Sequence, residues 1–275
     1  MERESKHVQN SVESEPLALV VWGNSSAIGK CVAHDLSDTL GFTTIVPSVA
    51  NGNAWHLDIL DIKSIHTFIK EYTKRYPNTP LDVLFLNSGI MNKGNTITRG
   101  NFFRRSNNGD KDINLHLHNV LLVEDLQRHG IITQKTKIIY NASIQIFAPK
   151  EGTEDYAFLK NMTATLLLWD TYLDVTILCL SLVEGTSMTE EFAQTLPKGT
   201  NLTAFVKENM PHGQPTLDDV ALVTNQILGN RKDTKGKFVC VDGWLLKHKM
   251  WNNMPENCLY LDKEYGILLP YDENT

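Results

Sequence analysis

The chain reads as an α/β protein built on a doubly wound parallel sheet of about seven strands, with helices covering both faces. Three observations predict this. Short apolar runs alternate with helix-length stretches along the chain. The first apolar run leads directly into a glycine-flanked polar turn and then a helix pattern, W-G-N-S-S-A-I-G. The composition is that of an ordinary globular protein: 275 residues, 41% hydrophobic and 21% charged, enough for one large core and short for two full-sized domains.

The elements follow in order. Leu17 to Trp22 has the pattern of a buried strand, and Ala27 to Leu40 that of a helix ended by Gly41. Phe42 to Val46 is a second strand, stopped by Pro47, and Ala54 to Leu57 a short third. From Ile62 to Tyr76 the apolar residues Ile62, Ile65, Phe68, Ile69 and Tyr72 share one helical face. Leu81 to Leu86 is a fourth strand, followed by Asn87-Ser88-Gly89. Residues 91 to 110 are polar and read as a loop, and Ile113 to Gln127 as a helix. A fifth strand (Lys137 to Tyr140), a long helix (Asp155 to Tyr172), a sixth strand (Val175 to Leu182) and a seventh (Phe238 to Val241) complete the series. Residues 1–16 read as a mobile tail, 17–246 as one domain and 247–275 as an extension packed on that domain or on a partner subunit, because Met250, Trp251, Leu259, Tyr260 and Leu268 make it too apolar for a free tail. The long polar segment Glu184 to Pro215 reads as an excursion at the carboxyl ends of the strands, where parallel α/β sheets bind ligands.

Composition excludes several classes. Lys and Arg total 26 against 32 Asp and Glu, a net charge of -6, which argues against a duplex nucleic-acid binder held by phosphate contacts. No apolar run approaches the roughly 18 residues of a membrane span. The polar N-terminal stretch has no apolar core for a secretory signal and is too acidic for a transit peptide, and the C-terminal YDENT is no retrieval or lipidation signal. Cys31, Cys179, Cys240 and Cys258 form no C-x-x-C pair and have no histidine at zinc spacing, so they read as reduced core thiols of a cytoplasmic protein, and no metal site is expected.

Three features carry chemistry. The turn at Trp22 to Gly29 offers backbone N–H groups at a helix N-terminus, suited to a phosphate; a plain strand-to-helix connection has the same look. Tyr156 and Lys160 stand four apart on a helix, so phenol and ammonium share a face. A nearby ammonium favours phenolate, which would let the tyrosine exchange a proton with a substrate oxygen. Ser143 follows the fifth strand and precedes Tyr156 by 13 residues; it reads either as a hydroxyl facing that helix or as a turn and cap serine.

Together these motifs resemble the short-chain dehydrogenase/reductase family over roughly residues 17 to 245. The family's T-G-x-x-x-G-x-G turn is similar to Trp22-Gly23-Asn-Ser-Ser26-Ala27-Ile28-Gly29, its N-N-A-G element to Leu86-Asn87-Ser88-Gly89, and its acidic adenine contact to Asp58. Its active-site asparagine, serine and Y-x-x-x-K resemble Asn114, Ser143 and Tyr156 with Lys160. Its turn after the sixth strand resembles Glu184-Gly185-Thr-Ser-Met-Thr189, and its closing V-D-G resembles Val241-Asp242-Gly243. The stretch Asn114 to Leu122 is most similar to the retinol-dehydrogenase-like branch, with His118 on that branch's second histidine; His118 reads equally as a satisfied, half-buried histidine.

The resemblance implies a three-layer Rossmann-type fold and an NAD(P)-dependent oxidoreductase that interconverts a carbonyl and an alcohol by hydride transfer. Tyr156 would be the proton donor or acceptor, Lys160 would bind the nicotinamide ribose and lower the tyrosine pKa, Ser143 would hold the substrate oxygen, and Asn114 a water linked to Lys160. Gly23, Ser26, Ile28, Gly29, Asp58, Asn87, Gly89, Gly185 and Thr189 would contact the cofactor. No acid stands at the end of the second strand, at Val46-Pro47-Ser48-Val49, which favours NADP slightly over NAD. The partners implied are a small carbonyl or alcohol and a second copy of the chain, in a homodimer or homotetramer, with no nucleic acid. Trp22, Ala27, Leu86 and Glu184 depart from the family pattern. They support an alternative, a catalytically idle nucleotide-binding regulatory or scaffold protein, which the intact Ser143, Tyr156 and Lys160 oppose.

Overall fold

The computed structural model describes residues 15–50, 53–89, 110–147, 149, 153–194, 196, 198–210, 213–241, 257–262 and 265–270. Eight strands form one sheet in the order β2-β1-β3-β4-β5-β6-β7-β8: β1 Leu17–Val21, β2 Thr43–Ile45, β3 Val83–Leu86, β4 Lys137–Asn141, β5 Asp174–Cys179, β6 Phe238–Cys240, β7 Cys258–Asp262 and β8 Ile267–Pro270. Every pairing is parallel except β7 with β8. The chain runs outward from β1 to β2, then returns to lay β3 on the other side of β1, so the order reverses at β1. Such a switch point opens a crevice beyond the carboxyl ends of the strands.

Strand alternation assigns the two faces. Leu17, Leu19 and Val21 of β1, Leu84 and Leu86 of β3, Ile138 and Tyr140 of β4, and Val175 and Ile177 of β5 enter one core. That core is closed by α2 (Ile62–Arg75), α3 (Lys111–Arg128) and α4 (Glu154–Trp169). Ala18, Val20, Val83, Phe85, Ile139 and Leu178 enter the other core, beneath α1 (Ala27–His34) and α7 (Leu217–Gly229). A period of two that buries apolar side chains on both faces is what a parallel sheet between helix layers requires. Two further helices, α5 (Ser187–Ala193) and α6 (Leu202–Asn209), occupy the segment expected to be a polar excursion, and short α8 (Arg231–Thr234) precedes β6.

Three expectations change. The strand expected at Ala54 to Leu57 is absent; only an isolated bridge joins Ser48 and His56. Pro47 lacks the N–H that would extend β2, and Trp55 leaves the sheet to stack on Tyr76 at 5.5 to 6.3 Å from three aromatic rings. The helix from Ala27 widens after His34 into one π-helical turn, Asp35–Thr39, before left-handed Gly41 (φ 71°). The apolar extension supplies β7 and β8. Leu259 and Leu261 are buried in the core under α7, and Leu268 packs against it. The readings made on residues 1–14, 91–109, Asp242, Gly243, Met250 and Trp251 lie outside the described residues.

At the amino ends of the strands the fold is clamped by charge. Lys137 is fully buried, and its ammonium donates to Asp174 at 2.7 Å and to Thr234 at 2.9 Å. Arg231 lies 3.9 Å from the same carboxylate and donates to the main-chain oxygens of Asp82 and Lys135. Burial holds the Lys137 pKa below its ordinary value, and the Asp174 hydrogen bond opposes that shift. Removing one partner of such a pair strands a buried charge, so Asp174→Ala is expected to cost about 3 kcal/mol in urea unfolding. Lys137→Met with Asp174→Leu should cost clearly less than Asp174→Ala alone. Equal losses would mean that the pair is no clamp.

Candidate active site

The exits of strands β1 to β5 converge above the carboxyl edge of the sheet. At the exit of β1, Trp22 adopts a left-handed backbone (φ 59°), a conformation that costs a bulky residue roughly 1–2 kcal/mol. Neighbouring contacts hold it there. The Trp22 carbonyl accepts from Asn87 Nδ2 at 3.4 Å, and its indole packs on the core. Gly23 must lack a side chain, because a Cβ would stand 2.5 Å from the side chain of Val46, the residue after β2. Gly29 is equally constrained, with a Cβ placed 2.7 Å from both Gly23 Cα and the Trp22 carbonyl. The turn and the first turn of α1 are thus pressed together. Ser26 caps α1 by accepting from Gly29 N at 2.9 Å, and Ala27 is its first helical residue.

At the exit of β3, Asn87 donates to Ser26 Oγ at 2.6 Å, and Ser88 donates to Asn119 of α3 at 2.7 Å in the fully buried interior. At the exit of β4, Asn141 donates to Asn87 Oδ1 at 2.8 Å. Ser143 accepts from Gln145 N at 3.3 Å and so caps the short 3-10 turn Ile144–Ile146. Its hydroxyl also shares a hydrogen bond with Tyr156, so both roles foreseen for this serine coexist. Thr153, at the start of α4, donates to Gln145 at 2.6 Å and ties that helix to the β4 exit.

Lys160 is 2% exposed. Its ammonium donates to the carbonyls of Asn141 at 2.6 Å and Ser88 at 3.2 Å, and lies 4.9 Å from the Tyr140 ring and 5.9 Å from the Tyr156 ring. Gly89 makes its room: a Cβ there would stand 2.6 Å from Lys160 Nζ. Burial pushes the Lys160 pKa down to about 7. Burial raises the Tyr156 pKa, and the Ser143 hydrogen bond offsets part of the rise. The expected lowering of the tyrosine pKa by the ammonium is therefore not the dominant effect, since Lys160 faces two carbonyls and the phenol is buried. Behind them His116 of α3 is fully buried beside Tyr140 and Thr163 (both at 3.4 Å), and burial with the Lys160 charge pushes its pKa down to about 3.

These exits enclose a cavity of about 570 Å³, within the range of sites for cofactor-sized ligands. Of the residues singled out in the sequence, Ser26, Ile28, Asn87, Gly89, Ser143, Tyr156, Lys160 and Thr189 line it. Gly23 and Gly29 shape the turn behind the wall. Asn114 lies half-buried in the first turn of α3, away from the cavity lining. Asp58 spends its carboxylate on Leu60 N at 2.9 Å and is also outside the lining. Gly185 (φ 75°) and Glu184 are exposed and outside the wall, so no carboxylate of Glu184 faces the cavity. His118 donates to the Ile59 carbonyl at 2.6 Å, which is the satisfied-histidine reading. Among the described residues, Lys160 is the one charged side chain in the wall.

Sequence reading missed Asn141, Thr186 and the Gln145–Thr153 tie. Thr186 caps α5 and donates to the Val183 carbonyl at 2.8 Å, next to Thr189. The T-S-M-T spacing signals that cap; nothing local in the sequence distinguishes Asn141.

The architecture matches solved structures. The aldohexose dehydrogenase of Thermoplasma acidophilum superposes with a TM-score of 0.65 at 20% identity, covering 85% of this chain and 95% of that one. A short chain dehydrogenase family protein from Francisella tularensis gives 0.67 at 19% identity, over 85% and 100% of the two chains. The 3-oxoacyl-[acyl-carrier protein] reductase of Brucella melitensis, in complex with NAD, gives 0.67 at 17%, over 84% and 98%. No family model and no curated protein sequence matches. The fold is therefore the Rossmann-type α/β architecture of short-chain dehydrogenases and reductases. Among the described residues, no helix is long and apolar enough to cross a membrane and no cluster of side chains could hold a metal.

Two outcomes follow for Lys160. Its folded pKa of about 7 lies below the ordinary 10.5, so the unfolded chain binds more protons between those values. Wild type should therefore gain stability relative to Lys160→Met as pH rises through that window; denaturant titrations across it that show a flat difference would contradict the burial. Gly89→Ala should leave the fold intact, because the clash falls on the tip of a flexible side chain, and lower stability by about 1–3 kcal/mol as the ammonium loses a carbonyl.

Proposed function

We propose that the protein is an NAD(P)-dependent oxidoreductase that interconverts a carbonyl and an alcohol. The observation that carries this reading is the convergence of Ser143, Tyr156 and Lys160 in the wall of one cavity that also reaches the tight turn at the N-terminus of α1. The residues fit a dinucleotide. The turn of Gly23 and Gly29 brings backbone close to the N-terminus of α1, which favours a pyrophosphate, and Ser26, Asn87 and Thr189 present polar atoms along the same wall. When bound, the nicotinamide would give or take the hydride.

The chain's own residues supply the proton and the orientation. Tyr156 Oη gives its proton to the oxygen of a carbonyl in reduction and takes it back from the alcohol in oxidation. The high tyrosine pKa keeps that proton in place until a substrate oxygen becomes basic. Ser143 fixes the same oxygen by a hydrogen bond, and the Lys160 ammonium, 5.9 Å from the Tyr156 ring, would bind the nicotinamide ribose. The end of β2 presents Pro47, Ser48 and Val49 to the cavity and no carboxylate, which supports NADP slightly over NAD. The substrate is a small carbonyl or alcohol.

Titration of the protein with NADPH and NADH, followed by fluorescence, tests the reading. Saturable micromolar binding of either is expected. Tyr156→Phe should keep that binding and lower turnover of a carbonyl panel by about 10²- to 10⁴-fold. Absence of binding to both dinucleotides at millimolar concentration would overturn the oxidoreductase and leave the scaffold reading.

A further inference from the structure

One line of amides joins the two ends of the cavity. The carbonyl of Trp22 can only accept, so the Asn87 nitrogen faces it and the Asn87 oxygen faces Asn141. Asn141 must then present its own nitrogen to Asn87, which fixes the orientation of both amides. On its other side, the main-chain carbonyl of Asn141 accepts from Lys160 at 2.6 Å. Asn141 is 7% exposed, and its Oδ1 is buried without a partner among the described residues. A buried polar side chain with half its hydrogen-bonding capacity unused is costly, so its retention calls for a role.

We propose that Asn141 is a positioning residue that couples the Trp22–Gly29 turn, through Asn87, to the place of the Lys160 ammonium. Contact made with a ligand at the turn is thereby felt at the proton-transfer end, and the reverse. The proposal rests on the oxidoreductase reading for its consequence in binding, but the coupling itself belongs to the free protein. The chain of bonds is continuous: Gly29 N to Ser26 Oγ at 2.9 Å, Ser26 to Asn87 at 2.6 Å, Asn87 to Asn141 at 2.8 Å, and Asn141 O to Lys160 at 2.6 Å. Besides Asn141, the groups acting on Lys160 are the Ser88 carbonyl at 3.2 Å, next to Asn87 at the exit of β3, and the side chains of His116 from α3, Tyr140 from β4, Tyr156 from α4 and Cys179 from β5. Among the described residues, none of these four side chains hydrogen-bonds to the turn.

The test uses Asn141→Leu, which removes an unpaired acceptor together with the donor and so should fold normally, as circular dichroism would show. In the ligand-free protein, the amide resonance of Gly29 is followed by NMR from pH 5 to 9, with Lys160→Met as the control that isolates the lysine's contribution. The Gly29 shift should contain a step that Lys160→Met removes, and Asn141→Leu should remove the same step. A step that survives Asn141→Leu, or its absence from wild type, overturns the coupling. Separately, Asn87→Leu, Asn141→Leu and the double variant are titrated with NADH and NADPH. Each single change should weaken binding about tenfold and the double change little more than either. Additive losses overturn the proposal. If wild type binds neither dinucleotide, the oxidoreductase reading fails, and the NMR comparison still decides the coupling.

Discussion

A buried ammonium sets the terms for the upper half of this molecule. Lys160 is held by main-chain carbonyls rather than by a carboxylate, and those carbonyls belong to the exits of two neighbouring strands. An ammonium taken out of water without such partners is strongly unfavourable. Its position therefore depends on the register of β3 with β4, Leu86 opposite Tyr140, which sets the Ser88 and Asn141 carbonyls within reach of one ammonium. It depends equally on Gly89, because any side chain there would occupy the place of the ammonium. It depends finally on Ala164 and Leu167, which seat α4 on the core at the height that delivers Lys160 between the two carbonyls.

The two ends of the sheet are built from different chemistry. At the amino ends, Lys137, Asp174 and Arg231 form an ionic clamp. At the carboxyl ends, the network consists of neutral amides and hydroxyls, Asn87, Asn141, Ser26 and Ser143, around Lys160, the one charged side chain of the wall among the described residues. Neutral groups can be rearranged around a ligand at much lower cost than an ion pair can be broken. Charge pairing is thus concentrated at the amino ends, and neutral polar groups where the cavity opens.

Most of the frame was legible in the sequence because a parallel sheet buried on both faces writes itself as continuous apolar runs. β1, β3, β4 and β5, and the amphipathic α2, are of that kind. Readings failed where tertiary contacts decide. Ala54 to Leu57 looks like a strand, but Trp55 gains more from the aromatic cluster of Phe68, Tyr72 and Tyr76 than from an edge ladder blocked by Pro47. The strands at Cys258–Asp262 and Ile267–Pro270 have the right apolar pattern but follow so long a connection that only the open edge of β6 explains them. At the site, Tyr156, Lys160 and Ser143 were legible from spacing along single elements. Asn141 was not, because its partners Asn87 and Lys160 lie 54 and 19 residues away and meet it only across the sheet.

The same geometry weighs the departures from the short-chain dehydrogenase/reductase pattern. Leu86 is fully buried, points into the core beneath α2 and α3 and takes no part in the cavity wall. Glu184 is exposed and outside that wall. Ala27 does line it, but as the first residue of a right-handed helix, where no left-handed backbone demands glycine. Trp22 is the departure with mechanical consequence. A bulky side chain in a left-handed conformation at the head of the turn is held by its carbonyl's bond to Asn87 and by packing of its indole, and Asn87 is held in turn by Asn141. Strain at the turn and the amide chain behind it therefore belong to one arrangement: the residue that departs most from the pattern is tied, through two asparagines, to the lysine that keeps it.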